Sequence, residues 1–151
     1  MKRVLIVEDN IQKANAITFA LKAAFGELAY ILLVNTVSVA MVVLTAERWD
    51  GVVLDLSFQR ASGMKEGIDR PQLAGVKVLQ QLDEMRIGVP VLIATQHSSF
   101  VDTEFGDFHS VHEVATTLEE IFTDNLRGVV EVDLSSTEWQ PVLTDLASRF
   151  F

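Results

Sequence analysis

The apolar residues of this chain fall into short unbroken runs separated by stretches of helical periodicity. The runs are RVLIV (3–7), LAYILLV (28–34), GVVLDLSF (51–58), VPVLIAT (89–95) and GVVEVDL (128–134). Apolar runs of this length, bounded by turn residues, read as strands buried on both faces. Between them the spacing changes to that of helices. Ile11, Ala14, Ile17, Leu21 and Ala24 recur along a helix from Ile11 to about Phe25, with Asn10 as its cap and Gly26 as its stop. Asn35 and Thr36 start a second helix over 37–48, with Val37, Ala40, Met41 and Leu44 on one side. Leu73, Val76, Leu79, Leu82 and Met85 mark a third. A fourth runs from Val111 to Leu126, with Val111, Val114, Leu118, Ile121 and Phe122 inward and Arg127-Gly128 closing it. Ser136 or Thr137 caps the last, through Phe150, with Pro141 near its first turn, where a missing N–H matters least.

Five alternating strand–helix units predict an α/β fold, a parallel sheet with helices on both faces. They are too few for an eight-stranded barrel. A competing parse makes DFHSVHEV (107–114) the fifth strand and leaves the C-terminus as an appendage; the first parse is preferred because no segment is left over. Two polar stretches interrupt the alternation, 57–72 and 96–110. The first exceeds the usual length of a strand-to-helix connection, and loops of that length are commonly functional or disordered.

Composition narrows the function classes. At 151 residues the chain reads as one domain spanning 1–151, with room for neither a DNA-binding module nor an appended enzyme. There are no cysteines, which removes disulfides, thiolate metal sites and thiol nucleophiles. The net charge of −9, from 21 acids against 12 bases, opposes contact with nucleic acid phosphates. The N-terminal apolar run is too short for a signal peptide or a membrane span, so a cytoplasmic protein off the membrane is expected. No G-x-G-x-x-G, G-x-x-x-x-G-K-[ST] or G-x-S-x-G motif is present.

The chemistry gathers at the ends of strands, where open parallel sheets place their sites. Glu8-Asp9 closes the first run, Asp55 ends the apolar part of the third, and Thr95 closes the fourth. A structural account of the acids is available, since Asp9 and Asn10 are good helix caps. Asp55 fits it less well, because a partly buried carboxylate is costly without a partner. His97, His109 and His112, with Asp107 and Glu113, match no standard metal-ligand spacing and read as loop residues. Phe150-Phe151 either pack into the core, the preferred reading, or form an exposed patch suited to a partner or to a homodimer through the last two helices.

RVLIVEDN, VVLDLSF and VPVLIAT, in register over nearly the whole chain, resemble the receiver domains of two-component response regulators. The resemblance implies a flavodoxin-like (βα)5 sheet of order 2-1-3-4-5. It implies phosphorelay signalling, with a phosphoryl group passed from a sensor histidine kinase or phosphotransfer protein to Asp55. It further implies Mg²⁺ held by Asp9, Asp55 and the Ser57 carbonyl, with Glu8 acting through water, and Thr95 as the switch hydroxyl. Oxygen ligands with only one or two carboxylates suit Mg²⁺. The expected protein is a stand-alone, non-enzymatic regulator whose output is contact with a downstream protein.

Departures from the family pattern are as informative. The lysine usual at the end of the fifth strand falls on Val132 or Asp133, next to Glu131, where a carboxylate would repel a phosphoryl group. The switch aromatic is replaced by Val129 or Val130, the small residue after the switch hydroxyl is Gln96, and the proline that usually follows the acceptor is missing. Lys65 or Arg60 in the long loop is a candidate substitute cation. A second reading follows, a pseudo-receiver that keeps the fold as an interaction module and is not phosphorylated.

Overall fold

The computed structural model describes residues 1–57, 73–96, 100–103 and 106–151, with 100–103 described by their backbone. Lys65, Arg60 and His97 lie outside the described residues. In chain order the elements are β1 (Arg3–Val7), α1 (Ile11–Phe25), β2 (Tyr30–Val34), α2 (Val37–Ala46), β3 (Gly51–Leu54), α3 (Ala74–Glu84), β4 (Val91–Thr95), β5 (Phe100–Thr103), β6 (Gly106–Phe108), α4 (Val111–Ile121), β7 (Leu126–Glu131) and α5 (Trp139–Phe150).

Five strands form one parallel sheet of order β2-β1-β3-β4-β7. This is the expected 2-1-3-4-5 order once β7 is counted as the fifth strand of the sheet. Alternate side chains point to opposite faces of a strand, and here both faces are covered. Leu5, Val7, Val52, Leu54, Val91 and Ile93 pack with residues of α2, α3 and α4. Val4, Ile6, Val53, Leu92, Ala94 and Val130 pack with residues of α1 and α5. The unbroken apolar runs are thus the signature of strands buried on two sides.

Local capping explains where the helices begin. Asn10 Oδ1 accepts from the Lys13 N–H at 3.1 Å, and Thr36 Oγ1 accepts from the Val39 N–H at 3.2 Å. Ser110 Oγ accepts from the Glu113 N–H, while Glu113 Oε2 accepts from the His109 N–H. This reciprocal arrangement engages Glu113 in a helix cap. The last helix differs from expectation. It starts at Trp139 with no side-chain cap, and Ser136 Oγ instead accepts from the Glu138 N–H in the preceding turn. Pro141 falls in its first turn, as expected.

Other boundaries also shift. The fourth helix ends at Ile121, and Arg127-Gly128 lies inside β7 rather than closing that helix. The cause is Asn125, a buried polar residue whose Nδ2 donates to the carbonyls of Ile87 at 2.7 Å and Val89 at 2.9 Å. Its own carbonyl accepts from Val91 N–H, so residues 123–125 are drawn out of the helix to start the strand. The polar stretch 96–110 contains the antiparallel hairpin β5–β6, separate from the main sheet, so the 107–114 segment is not its fifth strand. Ile11 and Ile121, expected inward, are exposed.

Phe151 folds back, and the patch that would have served a homodimer through α4 and α5 is lost on its side. Its ring lies over Gly51, and its carbonyl accepts from Lys2 Nζ at 2.6 Å. A Cβ at Gly51 would overlap that ring. Gly51→Ala is therefore expected to lower stability by about 1–3 kcal/mol, measured by urea denaturation. Most of the loss should disappear in a Phe151→Ala background; an equal loss there would mean that Gly51 acts through its backbone instead.

Candidate functional site

The acid cluster is assembled by the ends of β1 and β3. The β1–β3 ladder runs on one step past its last pair, with the Asp55 N–H donating to the Val7 carbonyl at 3.1 Å. Glu8 and Asp55 are buried and Asp9 is exposed, and one carboxylate oxygen from each lies within 4.8 Å of the other two. Among the described residues this is the one acidic group so gathered. Glu8 Oε2 accepts from the Asp9 and Asn10 N–H groups at 3.0 and 3.2 Å, which turns its carboxylate back over the start of α1. The backbone of residues 55 and 56 is pressed by α3. Gly75 N–H donates to the Leu56 carbonyl at 3.1 Å, and a Cβ at Gly75 would collide with the Asp55 carbonyl oxygen.

Lys13 completes the cluster, and the pattern of apolar positions gave no sign of it. Its Nζ lies 2.5 Å from Glu8 Oε1 and 3.0 Å from Asp55 Oδ1. The side chain is 1% exposed. Both contacts are buried ion pairs, and the one to Glu8 draws that carboxyl's pKa down against its burial. A visible signal was present nonetheless. Lys13 shares the inward face of α1 with Ala14, Ile17, Ala20 and Leu21, and a lysine at that helical spacing had to meet a buried acid.

Thr95 ends β4, fully buried, and its carbonyl accepts from the Val132 N–H at 2.8 Å. The last β3–β4 pair is Leu54 with Ile93; Asp55 follows one residue later and Thr95 two, so the strand ends adjoin. Ser57 is exposed, two residues beyond Asp55. The structure thus brings Glu8, Asp9 and Asp55 together, puts Thr95 on the adjoining strand end and leaves Ser57 at the rim. At the expected lysine position Val132 is buried among apolar residues of α1 and α5. Asp133 is turned onto Ser135, whose N–H and Oγ reach its Oδ1 at 2.9 and 2.6 Å and hold its carboxyl below the usual range. Asp133 is thus committed to its own turn. His109 and His112 are exposed at the start of α4 and belong to no gathered ligand set.

The cluster is electrostatically tense. Glu8 is pushed up from 4.5 to about 6, chiefly by burial and then by the Asp55 carboxylate, against the pull of Lys13 and the Asn10 N–H. A donor set of carboxylate oxygens gathered this closely fits a hard divalent cation.

No family model matches the chain. A Detocs response regulatory protein, DtcB, from Enterobacter cloacae (strain JD6301) is 23% identical over 150 residues, covering 97% of each chain. Among solved structures, the phosphorylated cyanobacterial phytochrome response regulator RcpA superposes with a TM-score of 0.68 at 18% identity, over 99% of this chain and 93% of that one. The response regulator TrrA of Thermotoga maritima, solved with Mg²⁺ and beryllofluoride, superposes with a TM-score of 0.57 at 15% identity, over 97% and 99%. The fold is accordingly the flavodoxin-like fold of response regulator receiver domains. No described helix is long and apolar enough to cross a membrane.

The raised Glu8 value has a testable sign. A folded-state value above the unfolded one favours the folded protein at low pH, and that contribution is lost as pH rises through about 6. In chelator-treated buffer, the stability difference between wild type and Glu8→Gln should move in the variant's favour from pH 4.5 to above 6. A difference that stays flat across this range, measured by urea denaturation, would remove the burial account.

Proposed function

We propose that this protein is a response regulator receiver that accepts a phosphoryl group on Asp55. The observation that carries the reading is the convergence of Glu8, Asp9 and Asp55 at the carboxyl edge of a receiver-type sheet. In the reaction the N–P bond of a phosphohistidine on a sensor kinase or phosphotransfer protein breaks, an O–P bond forms at an Asp55 carboxylate oxygen, and the imidazole leaves to take up a proton. Phosphoryl transfer depends on positioning and on offsetting charge. The β1–β3 ladder and the α3 contact fix the Asp55 backbone, and Asp9 stays solvated beside it.

Asp9 and Asp55, with Glu8 behind them and the Ser57 carbonyl at the rim, are the residues that would hold Mg²⁺. When bound, the ion would supply positive charge for the phosphoryl oxygens. Thr95 is assigned to the phosphoryl oxygen facing β4. The protein is read as a cytoplasmic signalling component acting on a downstream protein, not as an enzyme turning over an external substrate. One observation favours the pseudo-receiver instead: Lys13 already pairs with two of the three acids, which lets the cluster serve as a purely structural network.

Incubation with acetyl phosphate and Mg²⁺, followed by intact-protein mass spectrometry, separates the two. A single phosphoryl adduct that is lost in Asp55→Asn is expected. Undiminished labelling of Asp55→Asn would remove the acceptor assignment, and an unlabelled wild type that also ignores Mg²⁺ and beryllofluoride would leave the pseudo-receiver.

A further inference from the structure

A receiver without its fifth-strand lysine needs another cation, and the structure contains one in an unexpected place. Lys13 is the third residue of α1, in the first turn of a 15-residue helix. That is an unfavourable position for a positive charge, because the helix dipole places its own partial positive charge there. Burial adds a second cost, since an ammonium loses its hydration. Both costs are offset by the two acids against its Nζ. Among the described residues, Lys13 is the cation ion-paired to this cluster, while Val132 and Asp133 supply none.

Phosphorylation would replace the single charge of Asp55 by a group carrying roughly two negative charges. The Lys13 ammonium already stands 3.0 Å from Asp55 Oδ1 and can donate three hydrogen bonds. We propose that Lys13 is the phosphoryl-binding cation of this protein, reaching the acceptor from the first helix instead of from the fifth strand. The inference rests on the receiver reading above. It has a second consequence. Lys13 and a divalent cation draw on the same carboxylates, so Lys13 weakens metal binding while holding the phosphoryl group. A purely structural lysine would not separate the two effects.

The test uses the full chain, as wild type and as Lys13→Met. Mg²⁺ alone is titrated first, followed by tryptophan fluorescence. Beryllofluoride, a mimic of the aspartyl phosphate, is then titrated at saturating Mg²⁺. In Lys13→Met, Mg²⁺ should bind more tightly by roughly threefold or more, because a unit positive charge has left its surroundings. Beryllofluoride should bind more weakly by about tenfold or more, the worth of one charge-assisted hydrogen bond. A readout on wild type guards against a variant that fails to fold. The side-chain ¹⁵Nζ resonance of Lys13 should shift when beryllofluoride is added to Mg²⁺-loaded protein. Unchanged beryllofluoride affinity in a folded Lys13→Met, or an Nζ resonance that does not move while wild type binds the mimic, overturns the Lys13 assignment alone. A wild type that binds no beryllofluoride and takes no label from acetyl phosphate overturns the receiver reading, and this inference with it.

Discussion

The buried ion pairs of Lys13 with Glu8 and Asp55 join three elements that would otherwise meet as like charges. The end of β1 brings Glu8 and the end of β3 brings Asp55, both into a space with little water, and Lys13 comes from α1. Ion pairs in such a place gain little net stability over an apolar core, because desolvation cancels much of their attraction. Removing one partner is another matter, since it leaves a buried charge uncompensated. The network is therefore better understood as a constraint than as a source of stability. Given two inward acids at adjacent strand ends, some cation must be supplied, and the first turn of α1 supplies it. Asn10 makes this possible by capping α1 through the Lys13 N–H itself, which fixes the start of the helix at the residue that must reach inward.

Backbone contacts hold the rest of the site in place. Gly75 lets α3 press on the Asp55–Leu56 peptide, so the turn carrying Asp55 is held by the backbone of that helix. At the opposite end of the sheet, Asn125 ties the carbonyls of Ile87 and Val89 to the start of β7. Just past that clamp the pairing shifts by one residue, between Val91 and Leu92, and in the shifted register Thr95 stands opposite Glu131.

Strand ends carrying Glu8, Asp9, Asp55 and Thr95 were legible from the sequence because an acid or hydroxyl after an unbroken apolar run has few structural explanations. The sheet order was legible too, through the resemblance in register of three such ends. Lys13 was not, because apolar periodicity is silent about a charged residue that shares the inward face of α1. The boundaries around β7 were missed for a related reason. Asn125 looks like a turn residue until its two carbonyl acceptors are known, and they belong to a distant loop. The β5–β6 hairpin is short and set apart from the sheet, so no long apolar run announced it. For Lys13 and Asn125 the residue is polar and a partner lies far along the chain, Asp55 for one and Ile87 and Val89 for the other.

Placing the cation on α1 changes what a charge on Asp55 would pull upon. A lysine on the fifth strand would tie Asp55 to the β4–β7 edge. Lys13 ties it to α1, and α1 packs against α5 through Ile17, Ala20 and Leu21 on one side and Leu143 and Ala147 on the other. Thr144 Oγ1 donates to the Ala20 carbonyl at 2.9 Å, a hydrogen bond between the two helices. Val132, at the position where the lysine is expected, lies in that same apolar cluster and contributes packing in place of charge. If the ammonium follows the phosphoryl group, the first element to feel it is the capped turn of α1, and the next is the α1–α5 contact. Under the receiver reading, the absence of a lysine at the end of the fifth strand and the burial of Lys13 have one physical explanation, a cation moved from one side of Asp55 to the other.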